Sequence, residues 1–212
     1  IVLLIEWGIP NLSHPFNYAM DEWHFSQALR TFIKFGSGSI SGAASIPLYH
    51  IVSSIIFVLP FYLLQIVNPL AIKNTLDNIP MQHTLFIILR LHTLLYGVFS
   101  VMLLYAILKK YIKFFPGLFA LIYIFTPIFL SLTNYYKYDL TLIFWIVTSM
   151  YLLIKFYNTQ KLYLFVLAGI AFALSLSTKF TAAPFVIPLV ASYFIFSNKI
   201  KLKELILTIL VT

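Results

Sequence analysis

The sequence predicts an all-α fold, a polytopic bundle of transmembrane helices, and three observations carry that expectation. Hydrophobic residues make up 61% of the 212 residues and charged residues 9%, too few charges to give a soluble domain of this size a polar surface. Five apolar stretches approach the roughly 20 residues that a helix needs to cross the hydrocarbon core. Lysines cluster at alternate junctions between those stretches, as loops on one side of a membrane require.

The elements follow in order. Residues 1–5 read as the end of an earlier span and 205–212 as the start of a later one. The chain opens at Ile1 rather than at Met, inside an apolar run, so residues 1–212 are expected to be part of a larger transmembrane domain, truncated at both ends. The expected spans are 84–108, 114–132, 139–157, 162–178 and 180–198. Gly117, Pro127, Gly169, Pro184 and Pro188 fall inside them, which bundled membrane helices tolerate because neighbouring groups satisfy the freed backbone. The small residues at 168–173 predict a close helix contact.

Lys109, Lys110 and Lys113 form one lysine cluster, Lys155 and Lys161 a second, and Lys199, Lys201 and Lys203 a third. The positive-inside rule assigns all three to the cytoplasm, which leaves the connection 133–139, the turn at Lys179 and the start of the Arg90 span outside. Segment 46–67 admits two readings. It is apolar enough to cross, yet His50, Ser53, Ser54, Pro60 and Gln65 also suit a helix lying at the interface or re-entering from it. If it crosses, Asp21-Glu22 is cytoplasmic and far from Asp139; if not, Asp21, Glu22, Arg90, Asp139 and Lys179 share the outer face.

Several classes of chemistry find no support. With no cysteine there is no disulfide framework or thiolate metal site. The net charge of +8 resides mostly in short inter-span loops, where it sets orientation and does not imply nucleic-acid binding. There is no Walker loop, Rossmann glycine pattern or nucleophile elbow, and His14, His24, His50, His83 and His92 lack zinc-site spacing. Each of the six acids therefore matters, because a carboxylate near a bilayer faces water, pairs with a cation or does chemistry. Tyr135, Tyr136 and Tyr138 suit interfacial anchoring or sugar stacking.

Several landmarks follow one another along the chain. Asp21-Glu22 lies within Tyr18-Ala-Met-Asp-Glu-Trp-His-Phe-Ser-Gln-Ala-Leu-Arg30, followed by Gly36, Gly38 and Pro47-Leu-Tyr49. Arg90 precedes Leu104-Tyr-Ala-Ile-Leu-Lys-Lys110 and Pro116-Gly117; Pro127 precedes Asn134-Tyr-Tyr-Lys-Tyr-Asp139; Gly169 precedes Ser177-Thr-Lys-Phe180. This order resembles the polyprenyl-phosphate-sugar glycosyltransferases of the GT-C fold, in the branch of protein O-mannosyltransferases and the lipid A aminoarabinose transferase. The resemblance implies the N-terminal part of a transmembrane glycosyltransferase domain of GT-C type. Residues 6–83 would be a large first external loop with juxtamembrane or re-entrant helices. It further implies a multi-pass protein of a prokaryotic plasma membrane with its active site on the outer face. The donor would be a polyprenyl-phosphate sugar, and the acceptor a lipid, glycan or protein hydroxyl.

On that footing Asp21 is the expected general base. A departing phosphate needs little protonation, so one carboxylate that accepts the acceptor's proton suffices; the resemblance favours a single displacement that inverts the anomeric centre over a retaining route with Glu22 or Asp139 as nucleophile. Glu22 and Asp139 are expected in supporting parts. Glu22 would orient the acceptor or pair with a cation, or else only solvate its loop. Asp139 would line the site, or else serve only as a favourable charge at a helix N-terminus. Lys179, then Arg90, then His24 are expected at the donor phosphate, although Lys179 also suits snorkelling to the interface. A buried Arg90 demands an anionic partner, whether protein or ligand. No cofactor is required; a divalent metal is the open alternative. The rival functions are a transporter or lipid-flippase subunit, which predicts midplane charges and an internal repeat, and a membrane scaffold without chemistry.

Overall fold

A computed structural model of the chain describes residues 9, 22, 31, 48–68 and 79–196. Among these the structure is helical throughout, without strands: α1 Leu48–Leu63, α2 Ile79–Tyr111, α3 Pro116–Ile124, α4 Pro127–Thr133, α5 Asp139–Thr159, α6 Leu162–Thr178, a 3-10 turn Phe180–Phe185, and α7 Val186–Phe196. The all-α membrane class is thus what the chain adopts. The expected spans at residues 1–5 and 205–212, and the lysines at 199–203, lie outside the described residues.

The helix ends follow from local chemistry. Pro116 and Pro127 each open a helix, where the missing N–H is no loss. Lys109 and Lys110 occupy the last turn of α2, and Asp139 the first turn of α5, so each complements the helix dipole. α1 stops without glycine: Gln65 adopts left-handed backbone (φ 58°), its N–H reaches the Tyr62 carbonyl at 3.0 Å, and the Ile66 N–H reaches that of Phe61 at 2.9 Å. That pair of bonds is a Schellman closure. α5 ends more simply, with Gln160 left-handed (φ 55°) and its N–H on the Phe156 carbonyl.

Among the described residues two helices are long and apolar enough to cross a membrane, α2 and α5, and α3 with α4 makes a third if the pair counts as one broken span. The expected span 114–132 is interrupted because Phe125 and Thr126 leave the helix ahead of Pro127. α6 matches its expected 162–178 but at 17 residues rises only about 25 Å. The expected 180–198 begins as a 3-10 turn containing Pro184, so its regular helix is shorter than foreseen.

The chain divides into two compact units, Ile1–Tyr96 with Pro127–Leu140, and Gly97–Thr126 with Thr141–Thr212. In the first, one face of α1 packs Ile51 and Val58 against Leu85, Ile88 and Leu89 of α2, with Tyr136 and Val67 completing the core. The opposite face of α1 exposes Val52, Ile56, Leu59 and Leu63 at helical spacing, an apolar stripe that suits contact with lipid. In the second unit α5 and α6 pack through Phe156, Leu164 and Phe165. There the Ser149 hydroxyl donates to the Ala168 carbonyl at 2.9 Å, the close approach that the small residues at 168–173 predict.

Candidate functional site

α2 is apolar nearly all round, but its buried positions Gln82, Leu85, Phe86, Leu89, Thr93, Gly97 and Ser100 recur at three- and four-residue spacing and define one inward face. Arg90 lies beside that face and is fully buried. Burying a guanidinium costs several kcal/mol or more unless an anion faces it, and Glu22, itself 1% exposed, supplies that anion. Arg90 Nε donates to Glu22 Oε1 and Nη2 to Oε2, both at 2.7 Å. This two-pronged fork is the arrangement that a planar guanidinium makes best with a carboxylate.

A third donor completes the carboxylate's shell. The backbone N–H of Tyr136, in the connection between α4 and α5, donates to Glu22 Oε1 at 2.9 Å. The neighbouring Tyr135 ring lies 6.0 Å from the Arg90 guanidinium carbon, at the outer range of a cation–π contact. Three segments distant in sequence therefore meet at one carboxylate.

Tyr136 extends the junction to α1. Its hydroxyl donates to Ser54 Oγ at 2.7 Å, and the Ser54 hydroxyl donates in turn to the His50 carbonyl at 2.8 Å. The Tyr136 ring stacks on His50 with centroids 5.3 Å apart and planes inclined by 26°, and His50 lies 5.4 Å from the His92 ring. Burial raises the Tyr136 phenol well above its ordinary 10.0, against a smaller opposing effect of the Ser54 hydrogen bond. The hydroxyl thus stays neutral and able to donate.

The residues expected from sequence fall into three groups. Asp21 and His24 lie outside the described residues. Glu22 and Arg90 are joined directly, and Asp139, in the same unit, opens α5 with its carboxylate 3.7 Å from Lys137 Nζ. Lys179 belongs to the second unit, where it ends α6 with extended backbone and donates its N–H to the Ser175 carbonyl at 3.1 Å. Among the described residues no three His, Asp or Glu side chains gather closely enough to hold a metal ion.

One expectation is overturned. Tyr136 is fully buried, so it is neither an interfacial anchor nor a sugar platform; its N–H and hydroxyl are both used inside the protein. Sequence reasoning named Ser54 only as a polar residue of segment 46–67 and missed its bond to Tyr136, because a serine in an apolar helix is ordinarily satisfied by its own backbone. The signal for the Glu22 pair was present: Arg90 stands inside an apolar stretch and required an acid.

The family model described as dolichyl-phosphate-mannose-protein mannosyltransferase matches residues 11–210. No curated protein and no solved structure matches the chain.

Proposed function

Since the chain belongs to the dolichyl-phosphate-mannose-protein mannosyltransferase family, whose members are membrane glycosyltransferases using a lipid-phosphate sugar, we propose that it serves transfer of mannose from a polyprenyl phosphate to a protein hydroxyl on the extracytoplasmic face. Transfer proceeds by one inverting displacement. The acceptor oxygen bonds to the anomeric carbon, the bond from that carbon to the phosphate oxygen breaks, and the acceptor proton passes to Asp21. His24 offsets the charge that stays on the departing lipid phosphate. Asp139 borders the site from the start of α5.

The observation that carries this reading is the closed shell around Glu22. With the Arg90 fork and the Tyr136 N–H on its oxygens, Glu22 is held as a fixed anchor, which leaves its neighbour Asp21 as the acid of the pair for proton transfer. For the same reason Arg90, expected second at the phosphate, is read as the cation that holds Glu22. The junction also supports an external loop over residues 6–83 with α1 as a juxtamembrane helix. Glu22 meets the connection that precedes Asp139, as that reading requires and a crossing 46–67 segment does not.

The test is reconstitution of the full-length enzyme in proteoliposomes with labelled polyprenyl-phosphate mannose and a serine- or threonine-containing peptide. The expected result is mannosyl peptide whose anomeric configuration is opposite to that of the donor. No transfer from the lipid donor, or retention of configuration, contradicts the reading.

A further inference from the structure

The proposed mechanism uses only the backbone N–H of Tyr136, yet its side chain is fully buried and the residue makes hydrogen bonds in two directions. Its N–H holds Glu22 Oε1 at 2.9 Å and its hydroxyl holds Ser54 Oγ at 2.7 Å. A tyrosine kept only for packing has no need of a hydroxyl acceptor, and phenylalanine fills the same volume without the cost of burying an O–H group. Ser54 makes that cost bearable, and it is itself fixed: its hydroxyl donates to the His50 carbonyl at 2.8 Å, while the Tyr136 ring rests on the His50 ring at 5.3 Å. The hydroxyls thus run in one donor direction, Tyr136 to Ser54 to His50, and every proton in the chain has an acceptor.

We infer that Tyr136 is a positioning residue for the transfer reaction, a strut that sets where the Glu22 carboxylate stands by tying the connection 134–138 to α1. This role rests on the proposed function above, in which Asp21 takes the acceptor proton, and it acts through Glu22, the residue next to Asp21. The Arg90 fork fixes the carboxylate toward α2, but a fork alone leaves the carboxylate free to rock about the guanidinium axis. The Tyr136 N–H removes that freedom, and the N–H is only as well placed as the loop that bears it. The Ser54 bond and the His50 stack tie the loop to α1, beside the packing of Tyr136 and Tyr138 in the core. Loss of the hydroxyl therefore displaces the base from the acceptor oxygen without touching the donor. Misplacement on the order of 1 Å costs such a reaction up to about a hundredfold in rate.

The experiment measures steady-state transfer by the full-length enzyme in proteoliposomes, normalised to folded protein, for Tyr136→Phe, Ser54→Ala, the double variant and Asp21→Asn. Tyr136→Phe is expected to lower kcat by about tenfold or more with the donor KM unchanged. Ser54→Ala, which removes the same bond from the other side and keeps the tyrosine, is expected to match it, and the double variant to be no worse than the poorer single one. If Tyr136→Phe fails to accumulate, Ser54→Ala alone carries the comparison. An unchanged kcat per folded enzyme in the single variants, with only thermal stability lowered, overturns the positioning role, as do single losses that multiply in the double variant. Normal turnover in Asp21→Asn overturns the functional reading and this role with it. An inactive Asp21→Asn beside an unimpaired Tyr136→Phe overturns the positioning role alone.

Discussion

Removing one member of the Glu22–Arg90 pair leaves the other charge buried without its counter-ion, a loss of about 3–5 kcal/mol in comparable buried pairs. Glu22→Gln and Arg90→Leu should therefore each lower the thermal midpoint in detergent. The double variant should lie well above the sum of the two, because it removes both charges together. Tyr136 adds a pH dependence. Its phenol is raised above 10.0 in the fold, so the folded state holds that proton more tightly than the unfolded chain. The associated stability is complete below about pH 10 and is lost as pH rises beyond it. Melting curves from pH 9 to 11 should fall less steeply for Tyr136→Phe. At this scale the sequence was half legible: Arg90 among apolar neighbours demanded an acid, but six acids competed for it and only the fold selects Glu22. Ser54 and the Tyr136 hydroxyl gave no signal, because their partnership links positions 82 residues apart.

Among the elements, the stop of α1 stores strain. Gln65 occupies the left-handed position that a Schellman closure ordinarily gives to glycine, at a cost of roughly 1–2 kcal/mol for a side chain with a Cβ. Gln65→Gly should raise stability by up to about 1 kcal/mol, after allowing for the greater freedom of glycine in the unfolded chain; denaturation in detergent checks the sign. The sequence did not mark this stop: glutamine is not a helix terminator by type, and the hydrogen-bond pattern that ends α1 is visible only in the backbone. Pro116, Pro127 and Asp139 are the opposite case, since each announces a helix start by its chemistry, and each opens one. Asp139→Asn separates two accounts of that acid. A role limited to the α5 dipole costs about 0.3–1 kcal/mol of stability and leaves transfer intact; a place at the border of the site predicts slower transfer at unchanged stability.

For the whole molecule, composition and lysine spacing were enough to establish the class, because hydrocarbon burial and loop charge act on averages that survive errors in single residues. What averages do not reveal is which loops return to one another, and that is where the account rests. A chain without cysteine invites single-cysteine labelling. Cysteines placed at Asn158 and at Lys137 should react from opposite sides of the membrane, with the position at 137 open to the extracytoplasmic reagent. The central claim is that the acid pair divides its labour, Glu22 held in the junction and Asp21 exchanging the proton. The most direct measurement is the initial rate of mannosyl transfer by the full-length enzyme carrying Asp21→Asn, with insertion and folding matched to the unaltered protein. The account predicts a loss of at least about a hundredfold, the scale of a removed general base; transfer at the unaltered rate would contradict it.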